Sequence, residues 1–534
     1  MDAGNIKSRE DTRIQGSKRM REKTGKRMGK IMAMVTGAAV LLAGCGAAGS
    51  SLPKDLPEEE IEKGAFSAGA SLHDPFLIEG EDHTYYCYGS HMTAATTTDL
   101  RTFKMWADGV DEKNTIYDNL IQEPFDAFSF VGKNSDKWYS VWAPSVIYNE
   151  TTQEYLMYFC TTSSYIMSDL CYATSKTIDG PYHYQGTVIY SGFTKPNATK
   201  TNYYEINGED KKLRERYITV AGFNNQYYPN AIDPAMFYDA DGRMWMVYGS
   251  WSGGIFLLEL DPETNEPIHP ETDDANGVDH YYGKRLVGGF HHPIEGPYIQ
   301  YDEKSGYYYL FLSYGNLQQM GGYQIRVFRS DKPDGTYVDA SGHTLGIDDD
   351  LDHYEQYGTK LMGNYTLPSL AQTYMAPGGQ STFESDGKLF IIYHQRFKKM
   401  DEYHEPRVHQ MAVNEEGWPC IFPFATNGET LSEKGYQKHD LDGTVYLLNH
   451  GLAVDAKVNE AVKCSFADGQ ITGDLTGTYE VKEGTNYADI TVDGVTYHGV
   501  LIEMIDEAGN HTFCFSGIGE NNQSLWGVKY IMKE

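Results

Sequence analysis

The chain has 534 residues, 42 of them tyrosine and 55 glycine, and a formal net charge of -31. That charge repels a polyanion and so excludes nucleic acid as a partner, whereas a neutral polysaccharide is compatible with such a surface. The length allows one large domain and a smaller one, and an aromatic-rich, glycine-rich composition without long helical periodicity favours β-structure.

At the N-terminus, seven Lys/Arg residues between Lys18 and Lys30 precede "IMAMVTGAAVLLAG" and then Cys45. The apolar run is short for a membrane span and reads as the core of a signal peptide. "LLAGC" has the form of a bacterial lipobox, so residues 1–45 are expected to be a leader ending in a lipid-modified Cys45. Residues 46–65 then read as a tether holding the protein at the bacterial cell surface, outside the cytoplasm, with no other membrane contact. The six later cysteines show no zinc-ligand spacing. They read as buried thiols, with a disulfide left open.

From residue 66 onward one unit returns five times. The copies are "HDPFLIEGEDHTYYCYGS", "WAPSVIYNETTQEYLMYFCTTS", "IDPAMFYDADGRMWMVYGSWS", "EGPYIQYDEKSGYYYLFLSYG" and "APGGQSTFESDGKLFIIYHQRF". Each has a proline near its head (Pro75, Pro144, Pro234, Pro297, Pro377), an apolar strand, a turn, and a strand of aromatics. "DADG", "DEKSG" and "ESDG" supply the Asp and Gly that hairpins need. The strands are too apolar to have one wet face. The pattern predicts a five-bladed β-propeller over 66–430. Past "GWPCIFPF", short alternating strands over 435–534 predict a small antiparallel β-barrel or sandwich with one wet face and no catalytic constellation.

Inner strands of a propeller surround one axis, so residues at their heads converge. Asp74, Asp233 and Glu295 each head a copy of the unit. A carboxylate that activates water and a protonated carboxyl that serves the leaving oxygen suffice to hydrolyse a glycosidic bond, with a third carboxylate raising the acid's pKa. A single Asp-Pro is more often a turn element. Three carboxylates in one repeated position carry the reading.

These stretches resemble glycoside hydrolase family 43, especially its endo-acting α-1,5-L-arabinanases with an extra C-terminal domain. The resemblance rests on "HDP" at 73–75, "WAPSV" at 142–146, "NAIDPAMFYD" at 230–239, "YGSWSGG" at 248–254, "IEGPYI" at 294–299, "APGGQS" at 376–381 and "HEPRVHQMAVNEEGWP" at 404–419. It implies a five-bladed propeller that cleaves arabinan internally with inversion of configuration. Asp74 is then the base, Glu295 the acid, and Asp233 the residue that tunes and orients the acid. Asn230, Ala231 and Ile232 would border the sugar, as would Ser250, Trp251 and Ser252. Trp142 would stack on it, the bland alternative being a core tryptophan. A monomer is expected.

The last repeat departs from the family. Where many relatives read Pro-Gly-His, with the histidine on an axial calcium, this chain has Pro377-Gly378-Gly379-Gln380. Gln380 is expected to hold water there, and His394 is the substitute ligand, with a buried structural histidine as the alternative. Of "HEPRVHQM", Arg407 reads better as a staple of the last blade than as a pocket cation. Open alternatives are an exo-acting arabinofuranosidase or β-xylosidase, a fructan-cleaving propeller, and a non-catalytic carbohydrate-binding propeller.

Overall fold

A computed structural model describes residues 54–122, 125–208 and 215–533. The leader, Cys45 and the first part of the tether lie outside the described residues. The chain forms five antiparallel blades and a closed eight-stranded barrel. The blades begin with inner strands Phe76–Glu79, Ser140–Asn149, Ala235–Tyr238, Ile294–Asp302 and Tyr374–Ser385. These inner strands touch in the cyclic order one to five and back to one.

The hairpins follow from their turn residues. Asp239 Oδ1 accepts from the N–H groups of Asp241 and Arg243 (2.9 Å each), with Gly242 at φ 80°. Asp302 Oδ2 accepts from Ser305 N (2.7 Å) before Gly306 at φ 75°. In blade 2, strand Glu154–Thr162 is buried from Leu156 onward and strand Ser168–Ser175 is buried throughout, as strands covered on both faces must be.

The prolines mark a repeated bulge. The residue before each has positive φ: Asp74 (50°), Ala143 (39°), Asp233 (56°), Gly296 (58°) and Ala376 (48°). A residue before proline ordinarily stays extended. The same exception in all five blades is a built feature. In blades 2, 4 and 5 it skips two residues of the ladder to the next strand. Such bulges re-aim the strand head. Hydrogen bonds join neighbouring heads: Ala143 N to Ser90 Oγ (3.0 Å), Gly296 N to Asp233 Oδ2 (3.2 Å), Gln380 Nε2 to Gly296 O (2.8 Å) and Ser381 Oγ to Pro75 O (2.9 Å).

Blade 5 closes on blade 1 without sharing a strand. An apolar layer with Leu77, Cys87, Phe383 and Ile392 fills the seam. Arg407 is the staple expected of it. Its Nη1 donates to Glu405 Oε2 (2.9 Å) and its Nη2 to Phe66 O (2.9 Å), while Glu405 accepts from Ser67 Oγ and Ala68 N.

Two expectations change. Residues 55–64 are docked, not a free tether: Asp55 bridges to Ile531, Gly64 bridges to Leu370, and Asp55 Oδ2 accepts from Thr444 N. The barrel, running from Gly443 to Ile531, alternates in burial only over its earlier strands, such as Val462–Ala467 and Tyr487–Val492. Strands His511–Gly519 and Ser524–Ile531 are buried on both faces, because Trp526, Val528 and Tyr530 pack outward against Tyr365, Tyr374 and Ile421 of the propeller. All six described cysteines are free and buried.

Candidate active site

The strand heads surround a cavity of about 1270 Å³ to which all five blades contribute. Asp74, Asp233 and Glu295 all line it. They are not equivalent in position. Asp74 and Asp233 occupy the positive-φ residue before proline, whereas Glu295 stands one residue earlier, inside its strand.

Their surroundings divide their protonation. Asp74 Oδ2 accepts from Ser90 Oγ (2.6 Å) and pairs with His73 Nδ1 (2.8 Å). Burial pushes its pKa up, but the His73 charge and these hydrogen bonds outweigh burial and hold it below the usual carboxylate value. Glu295 Oε2 accepts from Ser250 Oγ (3.1 Å) and Trp251 Nε1 (3.0 Å), and Oε1 accepts from Tyr323 OH (2.8 Å). Burial and the Asp74 charge nonetheless raise its pKa, against the pull of those donors. Asp233, with one donor at Gly296 N, is pushed well above the usual range by burial and by the charges of Asp74 and Glu295. The negative charge is therefore favoured on Asp74, while Glu295 and Asp233 are both shifted toward holding a proton. Pairs of carboxyls driven apart in this way are an acid–base arrangement.

Of the expected sugar-side residues, Trp142, Asn230, Ile232, Ser250, Trp251 and Ser252 line the cavity. Ala231 does not. It is fully buried, its N–H donates to Ser191 Oγ (2.9 Å), and it stands at a tight bend in which Ile232 N donates to Asn230 O (2.9 Å). Ser250 and Trp251 hold the Glu295 carboxyl, a role that spacing alone did not show. Trp142 is half-buried, with part of its ring packed on the blade core. Sequence reasoning missed Ser90 and Tyr323. Ser90 closes the first repeat and Tyr323 follows a glycine pair, and neither carried a signal of its own.

In blade 5 Gln380 lines the cavity and is tied in place, its Oε1 accepting from Ser313 Oγ (2.8 Å) and one N–H of its Nε2 donating to Gly296 O (2.8 Å). A Cβ on Gly379 would meet Asp74 Oδ1 at 2.2 Å and His394 Nδ1 at 2.8 Å. His394 thus fills the place that a side chain at 379 would take. It is fully buried, its Nδ1 is 3.7 Å from Asp74 Oδ1, and its ring stacks on His73 with centroids 4.2 Å apart. Burial and the neighbouring cationic groups keep it uncharged.

Comparison with known proteins gives consistent results. A family model described as glycosyl hydrolases family 43 matches residues 217–419, and one described as a C-terminal lipocalin-like domain matches 423–527. The extracellular endo-α-(1→5)-L-arabinanase 2 of Bacillus subtilis is 34% identical over 488 residues, covering 89% of this chain and 96% of that protein. The extracellular endo-α-(1→5)-L-arabinanase of Thermotoga petrophila is 34% identical over 475 residues, covering 86% and 94%. The crystal structure of the Thermotoga petrophila endo-1,5-α-L-arabinanase superposes with a TM-score of 0.75 at 33% identity, covering 87% of this chain and 99% of that one.

Proposed function

The chain belongs to glycosyl hydrolase family 43, and from that premise we propose that it is an extracytoplasmic endo-α-1,5-L-arabinanase acting with inversion of configuration. The observation that carries this reading is the gathering of three carboxyls, Asp74 of blade 1, Asp233 of blade 3 and Glu295 of blade 4, in a cavity lined by all five blades, with Asp74 shifted toward the ionised form and the other two away from it.

Asp74 is the base. Its negative charge, steadied by His73 and Ser90, draws a proton from the attacking water. Glu295 is the acid. Its proton passes to the glycosidic oxygen as the bond to the leaving sugar breaks, and Tyr323, Ser250 and Trp251 then stabilise the carboxylate that forms. Asp233 stays neutral between them and orients the site through Gly296. Trp142 offers an aromatic face to a furanose ring. Tyr165 of blade 2 and Met320 of blade 4, exposed at 95% and 78%, border the cavity and extend its wall for further sugar units.

The residues also fit a cation. Donor atoms of His73, Asp74 and His394 lie within 4.8 Å of one another, and the buried His394 Nε2 has no hydrogen-bond partner. Asp74 and His394 would hold a divalent ion, calcium in the family pattern. Such an ion would supply positive charge that keeps Asp74 ionised. The leader reading places the enzyme on a lipid anchor at Cys45.

The test is hydrolysis of linear α-1,5-arabinan with products resolved by size and by anomeric configuration. Early medium-length oligosaccharides of inverted configuration are expected. Arabinose alone from the first minutes overturns endo action. Loss of turnover with a chelator, restored by calcium, supports the cation. A Cys45→Ser chain released into the medium supports the anchor.

A further inference from the structure

The connection between the first two barrel strands, residues 450–460, leaves the barrel and is received by the propeller. Its carbonyls meet buried donors of blade 4. Arg326 Nη2 donates to Leu452 O, Lys360 Nζ to Ala453 O (3.0 Å), and Gln324 Nε2 to Ala453 O (3.3 Å). Asn364 Nδ2 donates to Asp455 O (3.2 Å), and Asn459–Glu460 pairs in parallel with Tyr365–Thr366. Arg326 is fully buried and Lys360 is 4% exposed. Burying two such side chains is costly unless their donors are taken up. Here carbonyls of the connection take the Lys360 ammonium and the Arg326 Nη2, while Arg326 Nη1 donates to the carbonyls of Glu355, Tyr357 and Gly358 in blade 4 itself.

The other side of this segment lies against the loop from Gly315 to Tyr323. No space separates the two. A Cβ on Gly315 would stand 2.8 Å from Val454 Cγ1, and one on Gly322 would stand 2.4 Å from Asp455 N. Leu317 and Val458 pack with Tyr323, Met375 and Ala376 in one apolar cluster. The loop borders the cavity through Asn316, Leu317, Gln318 and Met320, and it ends in the tyrosine that donates to Glu295. The barrel interior, meanwhile, is filled by its own side chains, Phe466, Tyr479, Ile490 and Phe515 among them. Eight strands leave about that much room and no more.

We propose that residues 450–460 are a strap by which the C-terminal domain positions the active site, fixing the 315–323 loop and so the Tyr323 hydroxyl against Glu295. The inference rests on the assignment of Glu295 as the acid. Val454 and Val458 are positioning residues, touching neither substrate nor reacting atoms.

The test uses the full chain carrying Val454→Ala and Val458→Ala. Ile490→Val, inside the barrel, serves as a control for general destabilisation, and Tyr323→Phe as the reference for a lost hydroxyl. Hydrogen exchange followed by mass spectrometry reads the loop directly. Amides within 315–323 should exchange about 10-fold faster in the strap variant and at the native rate in the control. Turnover of arabinan should fall about 10-fold or more with KM nearly unchanged, as expected when a reacting group is misplaced. The basic limb of the pH profile should move upward, as in Tyr323→Phe, because the lost hydrogen bond favoured ionised Glu295. Gly322→Ala, which wedges a methyl between loop and strap from the propeller side, should give the same signature if the double variant fails to fold. Native exchange in 315–323, or fast exchange with native turnover and pH profile, overturns the proposal. Full activity of Glu295→Gln would remove the acid assignment instead, and the exchange data would still judge the strap.

Discussion

Replacing Glu295 by Gln isolates a single proton. The amide oxygen in the place of Oε2 keeps the hydrogen bonds from Trp251 Nε1 (3.0 Å) and Ser250 Oγ (3.1 Å). The amide nitrogen then faces Tyr323, whose hydroxyl turns to accept. Packing and shape are conserved, so the melting temperature should hardly move. What is lost is the acid. General acid catalysis is worth roughly 10²–10⁴-fold, or about 3–5 kcal/mol of barrier. Linear arabinan has a poor leaving group and should show that full loss. A 4-nitrophenyl arabino-oligosaccharide has a leaving group that needs no proton and should be cleaved far closer to the native rate. In the native enzyme the raised pKa of Glu295 sets the basic limb of the pH profile, and the lowered pKa of Asp74 sets the acid limb. The variant should keep the acid limb and lose the basic one. Equal losses on both substrates, or a surviving basic limb, would refute the assignment.

Other substitutions separate catalysis from stability. Gly379→Ala brings a methyl to 2.2 Å from Asp74 Oδ1 at φ 57°, and displacing the base by about 1 Å should cost roughly 100-fold in turnover. A histidine at 379 should do the same, since His394 already fills that space. Arg407→Ala unties blade 5 from Phe66 and removes the partner of buried Glu405. It should destabilise by about 3 kcal/mol, read by denaturant unfolding, without moving either limb of the pH profile. Glu507 of the barrel is half-buried with its Oε2 shielded, near Tyr374 and Ala425, and this desolvation raises its pKa from 4.5 to about 7. A raised folded-state pKa gives stability that is full below pH 4.5 and lost as pH rises through about 7. Glu507→Gln should therefore match the native enzyme at pH 4 and exceed it by up to about 3 kcal/mol at pH 8. Parallel stability curves for the two would show that Glu507 does not titrate on unfolding.

The sequence by itself determined what neighbours along the chain decide. Asp239, Asp302 and the glycines after them dictate their hairpins through hydrogen bonds spanning a few residues. The X-Pro heads repeat because each blade needs the same bulge, and their carboxylates could be picked out for that reason. Arg407, in the charged stretch "HEPRVHQM", was legible as a staple of the last blade. The tertiary structure decided everything that passes between blades. Glu295 stands one position off the repeat yet meets Asp74, more than two hundred residues earlier. Gln380 is tied to Ser313 and Gly296 of blade 4. His394 takes the volume that Gly379 leaves empty, and Ala231 turns into the core. The later barrel strands lose their wet face because blades 4 and 5 cover it, and the contacts that residues 450–460 make with the propeller come from that packing. Local patterns record turn chemistry and burial. They do not record which distant strand supplies the neighbour, because that follows from ring closure and domain packing, where contact depends on geometry summed over the whole chain.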